Sequence, residues 1–72
     1  MIRCHLSRMM GERRLRIADV SRQTGLHRSA ITSLYEDKAA RIDLVTMNKL
    51  CQLFDCKLGD LLEYVPDGDP AP

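Results

Sequence analysis

The chain predicts an all-α protein, a compact bundle of five short helices in one domain. Three observations carry this. Its 72 residues are enough for one domain, near the lower limit at which a hydrophobic core alone holds a chain. Apolar residues recur at helical spacing, and no run of alternating β-branched residues is long enough to suggest a strand. Phe54 and two tyrosines are the only aromatics, so aliphatic side chains and methionines must supply most of the packing.

A first helix is expected from about Ile2 to Arg14, with Leu6, Met9 and Met10 turned inward and most arginines outward. A second covers about Ile17 to Thr24 and buries Val20 and Ser21. Gly25 then sits where a helix stops in the left-handed conformation that glycine enters at little cost. Leu26 follows as an apolar plug, and a third helix runs from His27 or Arg28 to about Glu36. "DKAARI" is a connecting loop. Asp43 can cap a fourth helix whose Leu44, Met47, Leu50, Cys51 and Phe54 recur at helical spacing. "KLGDLLEYV" reads as a fifth helix with Leu58, Leu61, Leu62 and Val65 apolar, Asp60 near its positive end and Pro66 as its stop. The domain is therefore expected over residues 1–66, with a disordered polar tail at 67–72. No internal repeat is visible.

Composition narrows the function. No apolar run approaches the ~18 residues of a membrane span. "MIRCHLSRMMGERR" carries charges where an export signal needs an apolar stretch, so a cytoplasmic protein is expected, without membrane contact. Net charge is only +1, but it is unevenly spread. Through Arg41 there are nine arginines and lysines against four acids; from Ile42 onward, two lysines face six acids. Such asymmetry is a hint of nucleic-acid binding, although arginines on solvated helix faces are common.

Cys4, Cys51 and Cys56 are an odd set without the paired short spacings of a zinc site, and His5 and His27 form no second pair. They are expected to pack as small hydrophobes, with no metal bound. Ser, His and Asp fall on separate short helices with no cleft to assemble them, and there is no phosphate-cradling glycine loop. No enzyme, no cofactor and no effector pocket are expected.

"SRQTGLHRSAITSLYED" at 21–37 is the informative stretch. A DNA reader of two helices needs a glycine in a short turn, then a second helix with one buried stripe and short polar groups opposite. At 100° per residue, Ile31, Leu34 and Tyr35 cluster with Ala30 beside them, while Arg28, Ser29, Thr32, Ser33 and Glu36 fall opposite. The polar face is rich in hydroxyls and led by an arginine near the helix start, where such helices touch bases. Arginine can bond guanine through two hydrogen bonds, and serine or threonine can bond either partner of a pair. Glu36 would repel phosphate.

The segment Ile17–Glu36, with Val20, Ser21, Gly25, Leu26, Ile31 and Leu34 at their spacings, resembles the phage-repressor and Cro-like helix-turn-helix family. With "RIDLVTMNKLCQLFDCKLGDLLEYVP" following, the match looks like the short single-domain branch and covers about residues 3 to 66. The resemblance implies a lambda-repressor-like five-helix fold, binding to double-stranded DNA, transcriptional control as a repressor, and often a homodimer. It places His27, Arg28, Ser29, Thr32 and Ser33 against bases and nearby phosphates, with Lys38 and Arg41 on the DNA backbone.

Six positions depart from the family pattern. Ile17 stands where a phosphate-gripping glutamine is usual; Arg14, Arg16 or Gln23 could substitute. Ser21 replaces an alanine, His27 a capping serine or asparagine, Asp55 a glycine, and Lys57–Leu58 a Ser-Pro start. The stripe Leu58, Leu61, Leu62, Val65 with Tyr64 serves core packing, self-association, or both. Two other functions fit the same fold: an antitoxin with a toxin partner, and a protein-interaction module that no longer binds DNA.

Overall fold

The structure, a computed structural model, describes residues 1–66; the tail at 67–72, expected to be disordered, lies outside them. The chain runs β1 (Ile2–Cys4), α1 (Leu6–Glu12), α2 (Ile17–Thr24), α3 (Arg28–Tyr35), α4 (Leu44–Phe54), α5 (Leu58–Leu61) and β2 (Leu62–Tyr64). The five helices are there, and α2, α3 and α4 lie where periodicity puts them.

The all-α expectation is corrected at both ends. Ile2–Cys4 is not the start of α1, and Leu62–Tyr64 does not continue α5. The two segments pair as antiparallel strands, with Ile2 opposite Tyr64, Arg3 opposite Glu63 and Cys4 opposite Leu62. The reason is physical. A strand pair satisfies the backbone groups of both segments together, while Cys4 and Leu62 pack against the core. The pairing extends beyond the strands: Val65 N–H donates to the Met1 carbonyl at 2.8 Å and His5 N–H to the Leu61 carbonyl at 2.7 Å. The His5 ring also meets the Glu63 carboxylate at 2.8 Å.

One core unites all five helices: Leu6 and Met10 from α1, Val20 from α2, Ile31 and Leu34 from α3, Met47, Leu50 and Phe54 from α4, and Leu61 from α5. Burying each such side chain is worth about 1.5–3 kcal/mol. Three apolar residues placed with this set are exposed, Leu58 at the start of α5 and two others. Tyr35 is 43% exposed and Leu44 is 82% exposed, because each ends its helix and overhangs the packed stripe.

The helix ends explain several unusual residues. Asp43 caps α4, its carboxylate accepting from Thr46 N–H at 2.6 Å. Asp55 closes α4 in the left-handed region at φ 49°; aspartate tolerates that region better than most side chains. Lys57 has no side-chain acceptor to cap α5, so Asp60 accepts the Lys57 N–H at 3.0 Å instead. Arg13 reaches across to the end of α4, donating to the Leu53 and Phe54 carbonyls at 3.2 and 2.7 Å. Its guanidinium also lies 5.3 Å from the centre of the Phe54 ring.

Candidate nucleic-acid interface

The turn between α2 and α3 is built by short polar side chains as well as by glycine. Gly25 takes φ 78° and donates its N–H to the Ser21 carbonyl at 2.8 Å. The Ser21 hydroxyl donates to the Leu26 carbonyl at 2.6 Å. Thr24 works in both directions: its hydroxyl donates to the Val20 carbonyl at 2.6 Å and accepts from Leu26 N–H at 3.2 Å. Leu26 is half-buried against the core, so the turn is fixed by hydrogen bonds above and packing below. A threonine two residues before the apolar plug is the sequence signal for this turn, since such hydroxyls bond neighbouring backbone groups.

Helix α3 follows, its Ile31 and Leu34 buried and its opposite face open. Arg28 and Ser29 are exposed; Thr32 and Ser33 are half-buried, deeper than a fully solvated face would place them. None of these four side chains makes a hydrogen bond or ion pair among the described residues. His27 precedes the helix in extended conformation and its side chain forms no cap. The His27 carbonyl accepts from Ala30 and Ile31, leaving the N–H groups of Arg28 and Ser29 without a partner among the described residues. No acidic residue stands in the first turn of α3. The positive end of the helix is thus open and bare of anions.

The remaining candidates lie on α2 and in the segment after α3, and Gln23 lines a groove with Lys49 and Gln52 of α4. Gln23 is exposed in the last turn of α2, directly before the turn, and Arg16 is exposed at that helix's other end. Ile17 is half-buried against the core, which accounts for an apolar residue at that position. Asp19 accepts the Arg16 N–H at 2.9 Å and pairs with Arg22 at 3.0 Å, so Arg22 is already engaged. The Arg16 backbone hydrogen bond, then Arg22, hold the Asp19 carboxyl below the ordinary range.

Beyond α3, Lys38 is exposed and its ammonium lies 3.7 Å from Glu36. Arg41 is exposed in the loop before α4. That loop and the sheet enclose an apolar cavity of about 180 Å³, lined by Ile2, Leu34, Ala40 and Leu62 among others. It is smaller than the ~300 Å³ at which ligand pockets begin. The expected self-association stripe is divided by the fold: Leu61 is buried, while Leu58 and Tyr64 are 46% and 68% exposed. Among the described residues no helix is long and apolar enough to cross a membrane.

Comparison with known proteins bears on the whole of this arrangement. The family model of the Cro/C1-type HTH DNA-binding domain matches residues 5–67. The chain is also 31% identical over 61 residues to an HTH-type transcriptional regulator, YozG, of Bacillus subtilis (strain 168). That alignment covers 85% of this chain and 73% of the relative.

Proposed function

The chain belongs to the Cro/C1-type helix-turn-helix DNA-binding domain family, and from that premise we propose that it is a repressor acting as a homodimer. It is a DNA-binding transcriptional regulator. Each copy lays α3 in the major groove of double-stranded DNA and reads half of an operator.

The observation that carries this reading is the open start of α3. Arg28 and Ser29 offer exposed side chains and two unpartnered backbone N–H groups at a helix end with no acid beside it. A helix end of that kind favours a phosphate, and Arg28 is long enough to reach a base edge from the same point. Ser29, Thr32 and Ser33 supply short hydroxyls to bases, and His27 donates to a phosphate at the groove's edge. Gln23 and Arg16 hold phosphates at the two ends of α2, doing together what Ile17 does not. Lys38 and Arg41 hold the backbone beyond α3, Lys38 after releasing Glu36.

One α3 spans about half a site, and a second copy doubles the contacts. The exposed apolar residues Ile2, Tyr64, Ile42, Leu44 and Val45 supply a surface for that pairing, in the acidic part of the chain and its strand partner. A regulator of this kind works beside the chromosome, in the cytoplasm. The domain comprises residues 1–66, with the reader unit at 17–36. Selection of bound sequences from a random duplex pool tests the proposal. A palindromic consensus supports a dimeric reader, a single half-site supports a monomeric one, and no enrichment rejects sequence-specific reading.

A further inference from the structure

The geometry points to Cys51 and Cys56 as a dithiol that a peroxide closes to a disulfide, a modification site outside the DNA-reading surface. The pair is made by the way α4 ends. With Asp55 in the left-handed region, Cys56 N–H donates to the Cys51 carbonyl at 3.1 Å and Asp55 N–H to the Gln52 carbonyl at 3.4 Å. These two crossed bonds form the Schellman ending of a helix, in which the side chains at those two outer positions meet, usually as an apolar contact. Here both positions are cysteine.

Distance permits the bond. A backbone hydrogen bond of 3.1 Å between Cys56 and Cys51 limits their Cα separation to about 7 Å by covalent geometry. Disulfides need roughly 4.4–6.8 Å. The Cys51 sulfur is near enough to bear on the ionisation of the Cys56 thiol. Both residues are half-buried free cysteines, open to a small oxidant and shielded from a second chain. Cys4 stands apart on β1, paired with Leu62, its thiol pushed up by burial.

Burial, reinforced by the neighbouring Cys51, pushes the Cys56 thiol up despite the nearby Arg13 charge. With Cys51 as the attacking sulfur, its proton passes first to solvent, and Cys56 is the resolving thiol. The Cys51 sulfur takes one peroxide oxygen, the O–O bond breaks, and hydroxide leaves with the electron pair. Cys56 then gives its proton to that hydroxide and its sulfur attacks the sulfenic sulfur; the sulfenic oxygen leaves as hydroxide and becomes water with the proton that Cys51 released. Two thiols lose two electrons and two protons, and one peroxide becomes two waters. The product staples the end of α4 to the start of α5.

The test treats the full chain with hydrogen peroxide, quenches in acid, alkylates and maps peptides by mass spectrometry. The expected product is a single chain lighter by two hydrogens, linked Cys51 to Cys56, with Cys4 still alkylated. In Cys56→Ser, the expected product is a sulfenic acid on Cys51 that dimedone traps. The link should also form several-fold faster in the native chain than in urea, since the helix ending holds the thiols together. Full alkylation of Cys51 and Cys56 after peroxide treatment, a link to Cys4 or between chains, or equal rates in urea would each overturn the proposal.

Discussion

The Ser21 hydroxyl donates to the Leu26 carbonyl at 2.6 Å, tying α2 to the turn that aims α3. Alanine is no larger than serine, so Ser21→Ala leaves the helix crossing its space while the Leu26 carbonyl loses its partner. Ser21→Ala should therefore cost about 0.5–1.5 kcal/mol in denaturant unfolding. Ser21→Leu overfills the crossing and should cost more, about 1–3 kcal/mol. If the two variants are equally stable, space at the crossing is not what keeps residue 21 small.

Gly25 separates backbone strain from crowding. A Cβ built there meets nothing within 4 Å, yet φ is 78°. Gly25→Ala should lose about 1–2 kcal/mol, the cost of a left-handed L-residue, and fold to the same structure. A much larger loss would mean that the turn packs more closely than its geometry indicates.

Arg13 acts inside the fold. Its bonds to the Leu53 and Phe54 carbonyls and its place over the Phe54 ring hold α1's end to α4. Arg13→Gln should lower stability by about 1–2 kcal/mol, as both charged hydrogen bonds, at a largely solvated site, and a cation–π contact are lost. DNA affinity, measured where the variant is folded, should be unchanged. An affinity loss without a stability loss would move Arg13 to the interface.

Acid should weaken the fold through two helix-capping aspartates. The Thr46 N–H bond holds the Asp43 carboxyl below its ordinary 3.8, and the Arg16 N–H bond does the same for Asp19. A carboxyl depressed in the folded state contributes stability above its unfolded value and loses it as pH falls through the lower folded one. Urea midpoints should fall as pH drops through and below about 3.8. Asp43→Ala should be less stable at neutral pH and fall less steeply in acid. A parallel pH profile for this variant would show that Asp43 has no part in the acid loss.

The centre of the molecule was legible because its signals are local. Gly25, the stripe of Ile31 and Leu34, and the Asp43 cap each declare a boundary within a few residues. The ends were not. Ile2–Cys4 and Leu62–Tyr64 are three residues each, too short to show alternation, and each becomes a strand only through the other. Tyr35 and Leu44 satisfy the helical wheel but end their helices, where a wheel does not register that the core has stopped. The open face of α3 was readable as a pattern of residue types; the exposed N–H groups of Arg28 and Ser29 follow from an uncapped His27, which only geometry reveals. Arg13 resembled its neighbouring arginines until Phe54 was seen beneath it.

Titration of the chain with its selected duplex, across a range of salt and with Arg28→Ala and Lys57→Ala beside the wild type, tests the reader helix most directly. Affinity should fall with salt at a log–log slope of about −4 if roughly four phosphates are neutralised. Arg28→Ala should lose about 1–3 kcal/mol and relax preference at one base position, while Lys57→Ala, at the start of α5, should match the wild type. Unchanged affinity in Arg28→Ala, or an equal loss in both variants, would contradict a reading helix that begins at Arg28.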